Sequence, residues 1–283
     1  MESKIIKGLS EEKYHSQEGE KTPLFSYSTA KTILQKSPYH AYLQHPLLGG
    51  QGDFKSSKAM DTGNLLHKLL LGEGADIEVI DADNFRGKDA REQRDNAYEV
   101  GKIPVLKKEY DEYLKVLDVI KEEIRKICPE FFLPHESELS VKWEMPGGIK
   151  VQSRFDWISP ESALMIDLKT TTDASPEKVQ RKIIDMGYDM QDSLYTQSAN
   201  TVWPELAGRW KFLFIFLEVA PPYSVSVVEL DSSFKWMGEQ KINRAAEKWL
   251  DGLNNENWPG YGRFMLEAPQ WAVKKEMEKQ EEI

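Results

Sequence analysis

Between Glu138 and Lys169 apolar and polar residues alternate through three consecutive segments, and this pattern restricts the fold more than any other part of the chain. Leu139, Val141 and Trp143 form the apolar side of Glu138–Trp143. Pro146-Gly147-Gly148 supplies a turn, and Ile149–Ile158 and Ala163–Lys169 follow. A period of two belongs to strands, so a three-strand meander is predicted. In the last strand Leu164, Ile166 and Leu168 alternate with Met165, Asp167 and Lys169. Asp167 and Lys169 therefore share a face, roughly 7 Å apart along the strand. In the strand before it, Phe155 and Trp157 are predicted on one face and Arg154 and Asp156 on the other. Pairing through the Ser159–Ser162 turn would bring Asp156 beside Asp167. Two carboxylates and an ammonium at the edge of an apolar sheet are costly unless a cation lies between the acids. Such a set suits metal-assisted phosphodiester chemistry. The alternative, for an isolated Asp-x-Lys, is an ion pair on a solvated strand.

Helical periods surround the meander. Ser26–Pro38 reads as a short helix that Ser26 or Ser28 caps and Ser37-Pro38 ends. Gly49–Gly52 reads as a break. Ser57–Leu71 is amphipathic, with Met60, Leu65, Leu66, Leu69 and Leu70 apolar and His67 among them. Residues 81–106 hold Arg86, Lys88, Arg91, Arg94 and Lys102 among acids, and read as a solvated loop and helix. Residues 107–127 form a long charged helix with Tyr110, Leu114, Leu117, Ile120 and Ile124 inward. After the meander a helix starts near Pro176, where proline is tolerated. Its Lys178, Arg181 and Lys182 share a face that either grips phosphates or is simply solvated. On a second helix, Tyr188–Val202, Tyr188, Gln191 and Tyr195 fall on one face. Lys211–Val219 is nearly continuously apolar, as in a central strand covered on both sides. Tyr223–Leu230 alternates and reads as peripheral, and Ser232–Gly252 is a final helix with Trp236, Ile242, Ala245 and Trp249. These elements predict an α/β fold, a mixed central sheet with helices on both faces. Residues 1–24 read as a flexible lead, 25–262 as the folded domain and 263–283 as a charged, solvated tail.

Eight Trp, 11 Tyr and 11 Phe in 283 residues supply a substantial core. A single cysteine, Cys128, excludes intrachain disulfides and cysteine-based zinc sites. No apolar run approaches the roughly 20 residues that span a bilayer. With no apolar segment at the start of the sequence, a cytoplasmic location and no membrane partner are expected. The net charge of −10 runs against tight, non-specific DNA binding by an isolated chain, although charge distribution and bound metal can offset it locally.

Five motifs in order carry a resemblance: Gly63-Asn-Leu-Leu-His67, Glu138–Trp143, Arg154-Phe-Asp156, Ile166-Asp-Leu-Lys-Thr-Thr171 and Gly187-Tyr-Asp-Met-Gln-Asp-Ser-Leu-Tyr195. The chain resembles the PD-(D/E)XK nuclease superfamily, and within it the RecE-type phage and prophage exonucleases, over most of residues 25–255. The resemblance implies a restriction-endonuclease-like core. It implies one or two Mg2+ ions, with Mn2+ able to substitute, held by Asp156, Asp167, His67 and the Leu168 carbonyl, with Glu138 in support. Lys169 would orient or deprotonate the attacking water, or stabilise the phosphate. Gln191 and Tyr195 would order that lysine and touch substrate, and Arg154 would contact a phosphate. The implied activity is a double-strand DNA exonuclease digesting 5′ to 3′ from DNA ends. It would leave 3′ single strands for an annealing protein in phage-type recombination, and would work as a homo-oligomeric ring. An endonuclease or single-strand nuclease of the same fold, a non-catalytic DNA-binding module, and a metal hydrolase of another substrate are the alternatives. The missing proline before Asp156, where Phe155 stands, is a departure from the superfamily's name.

Overall fold

A computed structural model describes residues 3–50 and 58–281. The second half of the predicted Gly49–Gly52 break and the predicted helix start at Ser57 lie outside the described residues. In chain order the first half contains β1 (Lys4–Ile6), α1 (Glu11–Ser16), α2 (Tyr27–Gln35), α3 (Pro38–Gln44) and α4 (Lys58–Leu71). It continues with β2 (Ile77–Ile80), α5 (Lys88–Glu99), β3 (Ile103–Leu106) and α6 (Lys107–Ile127). The meander follows as β4 (Glu136–Met145), β5 (Ile149–Ser159) and β6 (Leu164–Thr171). Then come α7 (Pro176–Met186), α8 (Tyr188–Val202), β7 (Lys211–Glu218), β8 (Val225–Glu229), α9 (Ser232–Asn255) and α10 (Gln270–Glu281).

Six strands form the main sheet in the order β1-β4-β5-β6-β7-β8. The meander is antiparallel, β6 and β7 run parallel, and β8 returns antiparallel at the edge. The predicted mixed α/β sheet is therefore the observed one. The continuous apolar run of β7 is explained by its two faces. Phe212, Phe214 and Phe216 enter one core with α2, α3, α7, α8 and α9, while Ile215 and Leu217 enter a second core with α4 and α6. Among the described residues, no helix is long and apolar enough to cross a membrane.

Local chemistry sets the helix ends. Ser26 Oγ accepts the Thr29 N–H at the start of α2, and Ser37 Oγ accepts that of His40 at α3, where Pro38 takes the first turn. The Ser37-Pro38 pair therefore opens a second helix as well as closing the first. Gly187, at φ +72°, ends α7 in the left-handed conformation and turns the chain straight into α8.

Three sequence expectations are corrected, and the reading of the tail is extended. The lead at residues 1–24 is not a loose segment where it is described: β1 pairs with β4, and α1 is capped by Ser10. Residues 81–106 are not only loop and helix, because β3 pairs in parallel with β2. The charged tail is exposed and carries α10. Leu114, expected inward, is exposed.

Candidate metal centre and active site

Three carboxylates stand at one level on three neighbouring strands. The β4–β5 ladder pairs Ser137 with Trp157 and Leu139 with Phe155, which leaves Glu138 facing Asp156. The β5–β6 ladder ends at Trp157–Ile166, one rung short of Asp156 and Asp167. The strands thus part where the two aspartates would meet. The predicted alternation of β5 also breaks there. Phe155 packs into the core under α8 and Trp157 into the opposite one, instead of sharing a face. Glu138 itself has φ +51°, the left-handed region that a residue with a Cβ adopts at a cost.

Around this row the sequence-derived residues converge. His67 of α4, Glu138 and Asp156 each bring a ligand atom, and these atoms lie within 4.8 Å of one another. His67 Nδ1 is 3.6 Å from Asp156 Oδ2, and its Nε2 lies 2.6 Å from the Leu168 carbonyl oxygen. Asp167 is 2% exposed. Its Oδ1 is 2.5 Å from Lys169 Nζ, and its Oδ2 accepts a hydrogen bond of 2.5 Å from Gln191 Nε2. Lys169 also lies over the Tyr188 ring, 4.8 Å from its centroid. Gln191 therefore orders Asp167 directly, and it is Tyr188 that touches the lysine. Tyr195 is nine-tenths buried, stacked on Phe212 and edge-on to Phe155, within the core beneath the site.

Burial, and then the neighbouring Asp156, push the Glu138 carboxyl up to about 7 against the pull of Arg154 and His67. The same two causes raise Asp167, with Lys169 opposing them. Burial works most strongly against charge on Lys169, but Asp167, Tyr188, Asp156 and Tyr27 together outweigh it and hold the ammonium above its ordinary range. Gln191 Oε1 is buried with no hydrogen-bond partner among the described residues. Carboxylate and carbonyl oxygens, one imidazole and a spare amide oxygen make a donor set that fits a hard divalent cation.

The basic candidates divide. Lys182 donates to the Thr170 carbonyl at 2.7 Å, on the lysine side of the site. Lys178 and Arg181 are exposed on α7. Arg154 is turned away from open surface: it donates to Ser140 Oγ and to backbone carbonyls of the N-terminal segment. Lys31 of α2 was missed by sequence reasoning. Burial lowers its pKa and that of Lys182, and the charge of Lys169 lowers both further, which places all three ammonium groups in one neighbourhood. Nothing in the α2 sequence separates Lys31 from a surface lysine.

The profile of a family described as a PDDEXK-like domain of unknown function (DUF3799) matches residues 26–265. The chain belongs to that family. Its PD-(D/E)XK-like fold also appears in a chain from Eubacterium rectale, provisionally named an exonuclease. That chain is 14% identical, with 92% of this chain and 95% of that one covered at a TM-score of 0.63. A phage-related exonuclease from Haemophilus somnus gives 12% identity, 83% and 96% coverage and a TM-score of 0.33. No curated protein is detectably similar in sequence.

Proposed function

We propose that this PD-(D/E)XK-like domain is a divalent-metal-dependent nuclease that digests double-stranded DNA from its ends, 5′ to 3′. The observation that carries the reading is the row Glu138–Asp156–Asp167, opened at the β5–β6 fork and flanked by His67 on one side and Lys169 on the other. His67, Glu138, Asp156, Asp167 and the Leu168 carbonyl would hold the cation, Mg2+ by its preference for oxygen, with Mn2+ able to replace it. Bound there, the cation supplies an activated water and offsets charge on the leaving oxygen.

The chain's own groups complete the site. Gln191 fixes one oxygen of Asp167, and Lys169 fixes the other. The Lys169 ammonium is placed to orient the attacking water or to neutralise the phosphate in the transition state. Lys31 and Lys182 extend positive charge outward from Lys169, and Lys178 and Arg181 lie further along α7 as contacts for the backbone of the duplex. The 3′ single strand left behind is suited to an annealing protein, and a ring of copies around the duplex would keep the enzyme on its substrate despite a net charge of −10.

Linear duplex labelled at its 5′ or 3′ ends, incubated with and without Mg2+, tests the reading. Early release of the 5′ label, only with metal, is expected. Cleavage of a covalently closed circle would instead assign an endonuclease. No cleavage of linear, circular or single-stranded DNA with any divalent ion would leave a non-catalytic module.

A further inference from the structure

Arg154 has its donors committed. Nη2 donates to the Leu9 carbonyl at 2.5 Å and the Ser10 carbonyl at 3.2 Å, and Nε donates to Ser140 Oγ at 3.0 Å. Nη1 lies 3.5 Å from Glu138 Oε2, and the guanidinium sits over the Tyr14 ring, 4.4 Å from its centroid. The Arg154 side chain is 10% exposed. Its partners come from two quarters, the N-terminal segment and the acid row. Only a planar fork with five donors reaches acceptors in so many directions.

The segment that Arg154 holds is fastened at other points too. Gln152 Nε2 donates to the Tyr14 carbonyl at 3.3 Å. The buried Gln17 side chain accepts from Leu24 N–H at 2.9 Å, donates to the Leu24 carbonyl at 3.2 Å and meets His45 Nε2 at 3.0 Å. Glu20 pairs with Lys142 at 2.7 Å. This strap precedes residues 26–265, the part that matches the family. It lies over the polar side of β4 and β5, where Ser140, Lys142 and Gln152 are all buried. Glu138, at its left-handed φ, projects from β4 between the strap's anchor and Asp156.

We propose that Arg154 is a positioning residue, not a DNA ligand: it couples the strap Gly8–Gln17 to the metal centre by holding Glu138 in place. The proposal rests on the nuclease reading only for what the centre is used for. The coupling itself requires nothing but the ion. Supporting groups that orient metal ligands typically change affinity by roughly 10- to 100-fold.

The test uses the full-length chain with Arg154→Lys, Tyr14→Ala or Tyr14→Phe. Mn2+ affinity is measured by titration of the ion without DNA, and amide exchange is followed over residues 8–17. The KM, kcat and salt dependence are then read on linear duplex. Arg154→Lys is expected to weaken Mn2+ binding about tenfold, speed exchange in the strap and lower kcat, with KM and salt slope unchanged. Tyr14→Ala should move the same readouts in the same direction, and Tyr14→Phe should restore them. If Arg154→Lys does not fold, the tyrosine pair decides. Unchanged Mn2+ affinity, with a raised KM and a change of about one in the salt slope, would make Arg154 a phosphate ligand and overturn the proposal. Wild-type chain that binds Mn2+ but cuts no DNA, and loses the ion on Arg154→Lys, would sink the nuclease reading and leave the coupling standing. Failure of the wild type to bind Mn2+ would overturn both.

Discussion

Asp192 follows Gln191 on α8 and is 1% exposed, with Oδ2 lacking a hydrogen-bond partner among the described residues. Burial pushes its carboxyl up to about 6, Lys235 and Thr196 pulling the other way. A folded pKa above the unfolded value means that the folded chain holds the proton more tightly. The associated stability is complete below about pH 4 and is lost as pH rises through about 6. Asp192→Asn, which never ionises, should therefore raise Tm at pH 8, by up to about 3 kcal/mol in stability, with the gain shrinking as pH falls and vanishing only below about pH 4. Equal melting of the two chains at pH 8 would contradict this. A different outcome is expected at Asp156. Mg2+ should raise the Tm of the wild type by selective binding to the folded state, and Asp156→Asn should abolish both that shift and DNA cleavage. Cys128, fully buried, has its thiol pushed up to about 11, chiefly by burial. It should resist thiol reagents until the chain unfolds, so labelling against denaturant would report global opening.

At the scale of elements, α8 and α9 touch so closely that a Cβ on Gly238 would stand 2.0 Å from the Asp189 carbonyl oxygen. Glycine inside a helix ordinarily costs about 1 kcal/mol relative to alanine. Here Gly238→Ala should destabilise by about 2 kcal/mol or more, because backbone must move. The loss should reach activity as well, since α8 carries Tyr188 and Gln191, and melting with cleavage assays would measure both. The long elements were legible because their periods persist. Alternation marked β4 to β6, an unbroken apolar run marked β7, and paired amphipathic stripes marked α7 and α8. The short strands β1, β2 and β3 were not, since three or four residues are too few to establish a period. Neither was the break in β5 at Asp156, because period-two reasoning assumes a regular pleat, and the strand departs from it at the site. The surroundings of Arg154 were not legible either. Its partners, Leu9 and Ser10, lie more than a hundred residues earlier, and nothing local announces a guanidinium bound to distant carbonyls.

For the molecule as a whole, the charge of −10 and the lysine cluster at the site pull in opposite directions. Positive charge concentrated at Lys31, Lys169 and Lys182 should make DNA affinity fall steeply with salt even though the whole protein is acidic. Lys31→Ala should flatten that dependence by about one unit of slope, measured by duplex binding across a salt series. A slope unchanged by the substitution would remove Lys31 from the interface. The sheet divides the interior into two cores, and the site lies at the fork between them. It draws α4 from one side and α8 from the other, so the ligands hold their places only while both layers stay packed.

The row of acids across β4, β5 and β6 has a consequence for the connections between them. Residues at one level on neighbouring antiparallel strands stay level only while each turn keeps its length. The Pro146–Gly148 and Pro160–Ala163 turns therefore act as rulers. Losing one residue from either would turn over the faces beyond it, and losing two would restore the faces while sliding the carboxylates out of line. Loop length, in segments that supply none of the three acids, belongs to the geometry of this site as much as its aspartates do.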